Sequence, residues 1–365
     1  MSLACRFAKG MGDRERIAVA AMTALVLVWL VAHLIWVFTA KQRNQRTMDS
    51  ALAAFPNKLG TVTPGQSKDY LLRDFMVASS LDSCCSSNGG LYNYVGLRPL
   101  KDVIAHGARC LDFEVFTIDG SPAIATSRDA SMSSKASLNS VEFAQAMNVA
   151  GQYAFQGGRC QNAGDPLIIN LRMHTARASV YPAMASAIKD AFGSRLLGSE
   201  YGNEYGGKNI GTVPLKDLMG KVVVLYSGPT KTSPDFNALV NGSTSGVFLR
   251  KLSHYDVMYT HDFAELTEFN KRNMSVVVPG PGEDRSMAAS LAYQYGCQFM
   301  FMDYSTPDVN MEYALALFNE AGSAFVLKPE PLRAVIVTVP RPPAQNPAYS
   351  FASRTVSKPY FTAKI

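Results

Sequence analysis

The chain has 365 residues, 47% hydrophobic and 18% charged, which is long enough for one large domain or two ordinary ones and too apolar for a disordered protein. Its net charge of +6 is not gathered into a basic block, and no aromatic-basic interleaving or nucleic-acid motif occurs. Nucleic acid is therefore excluded as an expected partner.

The first element is not globular. Beyond an N-terminal segment of residues 1–16, residues 17–40 read IAVAAMTALVLVWLVAHLIWVFTA without a formal charge. About 20 apolar residues of helix cross a bilayer, so a single transmembrane helix is predicted over 17–40, with the lipid bilayer as its partner. Trp29 and Trp36 lie inside the run, Arg14 and Arg16 precede it, and Lys41, Arg43 and Arg46 follow. The alternative, a cleaved signal peptide, calls for a shorter apolar core and a small-residue cleavage site. Basic residues flank both ends, so the positive-inside rule leaves the sidedness open. His33 reads as a passenger in the helix. Cys5, Cys84, Cys85, Cys110, Cys160 and Cys297 show neither zinc spacing nor C-x-x-C, which leaves their redox state undetermined. Sequons at Asn241 and Asn273 matter only if the domain is lumenal.

Residues 41–68 are polar, with Pro56, Gly60, Pro64 and Gly65, and predict a stalk. From 69 to 333 strand and helix patterns alternate. Strands are predicted at 75–79, 110–116, 123–125, 167–171, 222–226, 276–278, 299–302 and 324–327, and helices at 100–106, 141–155 and 181–192. Such alternation implies a parallel sheet with crossover helices, and this many strands in one domain fits a closed (β/α)8 barrel. An open doubly wound sheet is the alternative, although no G-x-G-x-x-G follows a strand. Residues 228–250, rich in Gly, Ser, Thr and Asn, predict a loop between two halves of the domain. Residues 334–365 are Pro-rich and basic and predict an extended or disordered tail, a candidate segment for a protein partner.

The stretch GARCLDFEVFTIDG carries Asp112 and Glu114 two apart in an otherwise apolar strand, so both carboxylates face one side. Buried carboxylates need a metal, a cation or a proton.

Several strings, in this order, resemble the X and Y regions of eukaryotic-type phosphoinositide-specific phospholipase C. LKDVIAHGARCLDFEVFTIDGSP, GQYAFQ and DPLIINLRMH resemble the X region, over residues 70–227. FNKRNMSVVVP, YGCQFMFMDYSTPDVNMEYALALF and FVLKPEPLR resemble the Y region, over 251–333. The resemblance implies a TIM-type barrel and a phosphoric diester hydrolase. In that family one histidine serves as general acid or base, a second stabilises the transition state, and carboxylates with an asparagine hold Ca²⁺.

Fold alone does not carry that chemistry over, and the matching positions have changed. Leu81 stands where the family has its first histidine and Asp82 where it has the metal-binding asparagine. Asp112 and Glu114 match the family's Glu-x-Asp with the side-chain lengths exchanged. Arg128 stands at the second histidine and Arg172 at a further Ca²⁺ ligand. The family's inositol-binding lysines fall near Leu225 and Ser227, and its arginine and stacking tyrosine become Val276 and Val278. His174 matches a noncatalytic family histidine, His106 ends a predicted helix, and His254 and His261 fall at the junction of the two regions. The expectation is a degenerate site in which Asp82, Asp112 and Glu114, the vestigial metal ligands, pair with Arg172 and Arg128. No cofactor is expected, and Ca²⁺ enters only under the alternative of an active or lipid-binding phosphodiesterase with an altered site. Under either reading a phospholipid headgroup is a candidate ligand.

Overall fold

The computed structural model describes residues 12–55, 57–87, 93–127, 135–280, 283, 285–306, 308–335, 343, 346 and 349–365. Helix α1, Asp13–Ala54, is one unbroken helix of 42 residues. Its apolar half is unburied and is long and apolar enough to cross a membrane.

The expected stalk over 41–68 is not what its first part forms. α1 continues through it to Ala54 and packs on the domain, burying Ala40, Asn44, Met48, Ala51 and Leu52. These positions recur at helical spacing and form one face. The stretch is polar on average, which masks this narrow apolar stripe. The Tyr94 hydroxyl donates to the Val37 carbonyl (3.1 Å), and Asn44 Nδ2 donates to the Ser86 carbonyl (3.2 Å). Further along α1, Arg98 pairs with Asp49 at 2.7 Å and His106 Nε2 lies 3.1 Å from the Leu52 carbonyl.

Eight parallel strands build the domain: β1 (Phe75–Ser80), β2 (Cys110–Ile118), β4 (Leu167–Met173), β5 (Val222–Ser227), β6 (Gly242–Ser243), β7 (Leu249–Ser253), β8 (Met274–Val278) and β9 (Phe299–Met302). Their order is β7-β8-β9-β1-β2-β4-β5-β6, a nearly closed barrel whose open seam lies between β6 and β7. β3 (Ser121–Ala125) forms a hairpin with β2, and β10 (Phe325–Leu327) runs antiparallel to β1. The central strands are buried along their whole length, as parallel strands covered on both faces must be. Crossover helices include α2 (Leu97–Ala105), α3 (Phe143–Ala154), α4 (Val180–Phe192), α5 (Phe263–Arg272) and α6 (Val309–Ala321). In such a barrel each helix starts at the C-terminal end of a strand. The contacts of Tyr94 and Ser86, just before α2, therefore put the barrel mouth beside the end of the apolar run. His106, after α2, meets α1 at the opposite end.

Two further expectations are corrected. Residues 228–250 are not simply a loop: they hold a helical turn, Pro234–Asn237, then β6 and the start of β7. Gly242 and Ser243 give little strand signal, and their strand is made by pairing with Leu225 and Tyr226. In the tail, Thr355–Lys358 and Phe361–Lys364 form a β-hairpin, β11 and β12. The barrel unit runs to Arg333, and residues 334–365 are a second unit.

Candidate functional site

The β2–β4 register sets Asp112 opposite Asn170 and Glu114 opposite Arg172, while Arg172 lies level with Ser227 of β5. Side chains two apart share a side, so one carboxylate pair and one Asn–Arg pair converge. Asp82 arrives from the turn after β1 with φ +41, a left-handed conformation that Asp tolerates better than most residues. That turn is held by Ser83 N–H donating to the Asp112 carbonyl and by Cys85 N–H donating to the Asp82 carbonyl.

All four charged groups are buried, and one guanidinium connects them. Arg172 Nη2 donates to Asp82 Oδ1 (2.7 Å) and Asp112 Oδ2 (2.6 Å). Its Nε donates to Asp112 Oδ1 (2.9 Å), and its Nη1 donates to Glu114 Oε1 (2.6 Å). The planar fork grips Asp112 through both Nε and Nη2 while reaching two further carboxylates, which the three donors on a single lysine nitrogen could not match. Asn170 Nδ2 adds a bond to Asp112 Oδ1 at 2.7 Å. Glu114 also accepts from the Ser127 hydroxyl and backbone N–H.

A second arginine, missed in the sequence, completes the cluster. Arg285 Nη1 donates to Asp82 Oδ2 (2.7 Å), and its Nε donates to Asp303 Oδ2 (2.6 Å). Ser305 caps the other Asp303 oxygen through its N–H and hydroxyl. Asp303 had a legible signal: it directly follows β9, a strand-end carboxylate in a βα barrel, much as Asp82 follows β1. Arg285 had none, because it sits in a loop after β8 and only the fold brings it to Asp82. His174, set aside as noncatalytic, places Nε2 3.5 Å from Glu114 Oε1 and stacks on Phe116 at 4.6 Å.

Burial opposes the charge on Arg172, but Asp112, Glu114 and Asp82 outweigh it and hold the guanidinium protonated. Burial also works against ionised Glu114, yet Arg172, His174 and Ser127 pull it down to about 2. Asp82 goes the other way, to about 7, through burial and then Glu114, against the pull of Arg285 and Arg172. The sense is clear from the charges: four carboxylates face two guanidinium groups, so the last carboxylate to ionise is the one that holds a proton. Burial pushes the Cys84 and Cys85 thiols up, away from nucleophilic thiolates.

Leu81 is buried in the apolar core beside this cluster and offers no proton to transfer. Leu225, Ser227, Val276 and Val278 are buried on β5 and β8. Arg128 lies outside the described residues. His106 is occupied at the α1 interface, His254 Nε2 accepts from Ala288 N–H (3.1 Å), and His261 is exposed. Among the described residues no group of three or more His, Cys, Asp or Glu is arranged to hold a metal. The carboxylate oxygens that the resemblance assigns to Ca²⁺ receive the Arg172 guanidinium in this structure.

No family model matches the chain, and no curated protein matches it. Solved structures do. The PLC21 protein of L. pealei superposes with a TM-score of 0.58 at 16% identity, over 73% of this chain and 38% of that one. PLC21 of S. officinalis gives 0.56 at 17% identity, over 75% and 39% respectively.

The barrel shares its fold with these PLC21 proteins.

The chain thus matches well under half the length of those two proteins, and the likeness at this identity is one of fold. Within this barrel, the Asp82–Arg172 cluster occupies the C-terminal mouth, where βα barrels carry their chemistry.

Proposed function

We propose that this chain is a membrane-anchored phospholipase-C-like barrel that does not turn over phosphodiesters and serves a structural or interaction role. The observation that carries the reading is the Arg172 guanidinium, bonded at 2.6–2.7 Å to Asp82, Asp112 and Glu114 together. A fixed cation takes the place of a removable one. A Ca²⁺ ion entering there would find the carboxylate oxygens taken by Arg172 and would face that fixed cation at contact distance. General acid–base groups are worth roughly 10²–10⁴ each in rate, and Leu81 supplies none. Membrane anchoring is supported by the uncharged run 17–40, and a single pass leaves the barrel on one side. The tail beyond Arg333 is the segment proposed to meet a protein partner.

A specific observation favours one other use of the mouth, headgroup binding without turnover. Among the described residues Arg285 Nη2 is buried there without a hydrogen-bond partner, and an anionic oxygen would satisfy it.

The test is calorimetric Ca²⁺ titration of the full chain in detergent, wild type beside Arg172→Gln, with phosphoinositide hydrolysis measured on both. A chain cut inside 41–54 would sever the packed part of α1 and is unsuitable. The expected result is no Ca²⁺ binding and no turnover in the wild type, with Ca²⁺ binding gained in Arg172→Gln, where an amide oxygen joins three carboxylates. Micromolar Ca²⁺ binding or turnover by the wild type would overturn the proposal.

A further inference from the structure

We propose that the junction of α1 with the barrel binds the phosphate of an anionic phospholipid headgroup, in a cleft separate from the Asp82–Arg172 cluster. The cleft has a volume of about 510 Å³ and lies between the first polar turns of α1 and the start of α2. Lys41, Arg46, Arg98 and Asp49 line it, with Ser86 and Gly96.

Its charge balance is positive. Asp49, the one acid in the lining, is engaged by Arg98 at 2.7 Å and by Gln45 Nε2 at 2.8 Å. Lys41 and Arg46 are exposed and have no acidic partner among the described residues. α2 opens into the cleft with Gly96 as its N-cap, which offers no side-chain acceptor, and has no acid in its first turn. Its positive end and the backbone N–H groups of Leu97 and Arg98, Pro99 having none, add to the basic side chains.

Position decides the source of the anion. Lys41 follows directly on the apolar run, and the Tyr94–Val37 and Asn44–Ser86 bonds fix the cleft against that end of the helix. From Lys41 to Arg46 the helix advances about 7.5 Å at ~1.5 Å per residue. The headgroup layer on each side of the hydrocarbon is about 5–8 Å deep. The cleft and its two free cations therefore span the depth at which lipid phosphates lie, rather than open water. This inference rests on reading 17–40 as a membrane span.

The experiment separates the two. The full chain is first incorporated into phosphatidylcholine nanodiscs, which reports on the span alone. Native mass spectrometry in detergent then measures binding of short-chain phosphatidic acid against phosphatidylcholine. Wild type is expected to prefer phosphatidic acid. Lys41→Gln/Arg46→Gln should lose about fivefold per side chain, about 25-fold together. Lys208→Gln/Lys216→Gln, an equal change in net charge on the exposed barrel surface, should leave the affinity unchanged. Both pairs are solvent-facing, and an unaltered melting temperature verifies their folding. Equal loss in the two double variants would mean diffuse attraction and would overturn the cleft. Full displacement by millimolar inorganic phosphate would assign the site to a soluble anion and overturn the lipid assignment. Incorporation into nanodiscs without preference for phosphatidic acid defeats the cleft alone. Failure to incorporate defeats the span and the cleft together.

Discussion

Arg172→Met removes a buried cation while keeping an unbranched side chain of similar reach. It deletes five hydrogen bonds to carboxylates. Asp82 keeps Arg285, but Asp112 is left with Asn170 and the Asp82 backbone N–H, and Glu114 with Ser127 and His174. Breaking a buried pair from one side typically costs about 3–5 kcal/mol, because the partner charge stays buried. For a unit of this size that lowers the melting temperature by roughly 4–7 °C at pH 8. The loss must depend on pH. Without Arg172, the burial that opposes ionised Glu114 favours its protonation as pH falls, so the penalty shrinks by up to ~1.4 kcal/mol per pH unit. Calcium should then stabilise the variant and not the wild type, by about 2.7 kcal/mol at a hundredfold excess over its dissociation constant. The assay is thermal unfolding by circular dichroism of the full chain in detergent, at pH 5.5 and pH 8, with chelator or Ca²⁺. A penalty under about 1 kcal/mol at pH 8 would refute the role of Arg172 as counter-charge. An equal penalty at both pH values would assign the loss to packing.

The Asp82 carboxyl, raised to about 7 against an unfolded value near 3.9, contributes stability that is full below about 3.9 and lost as pH rises through about 7. Asp82→Asn should remove that decline, up to ~1.4 kcal/mol per pH unit, and urea unfolding of the two proteins across pH 5–8 reads it directly. Glu114, held down to about 2, has the opposite sign: its contribution is present above about 4.5 and lost as pH falls toward 2. Glu114→Gln should therefore flatten the acid limb of the stability curve, measured from pH 5 downward. Met48 is fully buried between α1 and the barrel, so Met48→Ala should cost about 2–5 kcal/mol and expose residues 41–54 to limited proteolysis; an unchanged digestion pattern would count against the docked helix. Leu81→His should yield no detectable phosphoinositide hydrolysis while Arg172 remains, and turnover by that single variant would show that the cluster still admits the reaction.

Much of this protein was legible without coordinates. The uncharged run 17–40 and the alternation of buried strands with amphipathic helices follow from local composition and period. So does the Asp112-x-Glu114 pair on one face of a strand. Those signals arise from residues near one another in the chain. The extension of α1 to Ala54 did not show, because its buried stripe means nothing until the barrel is there to cover it. β6 is two residues, Gly242 and Ser243, with no propensity of their own, and exists only because Leu225 and Tyr226 offer a ladder. Arg285 and Asp82 are 203 residues apart in sequence and meet at 2.7 Å. Leu81, Asp82 and Arg172 could be named from the sequence as departures from a pattern. That Arg172 reaches three carboxylates at once, and that Asp82 bridges two guanidinium groups, was decided by the closing of the barrel. Parallel strands brought into register fix side-chain distances that no local sequence can encode.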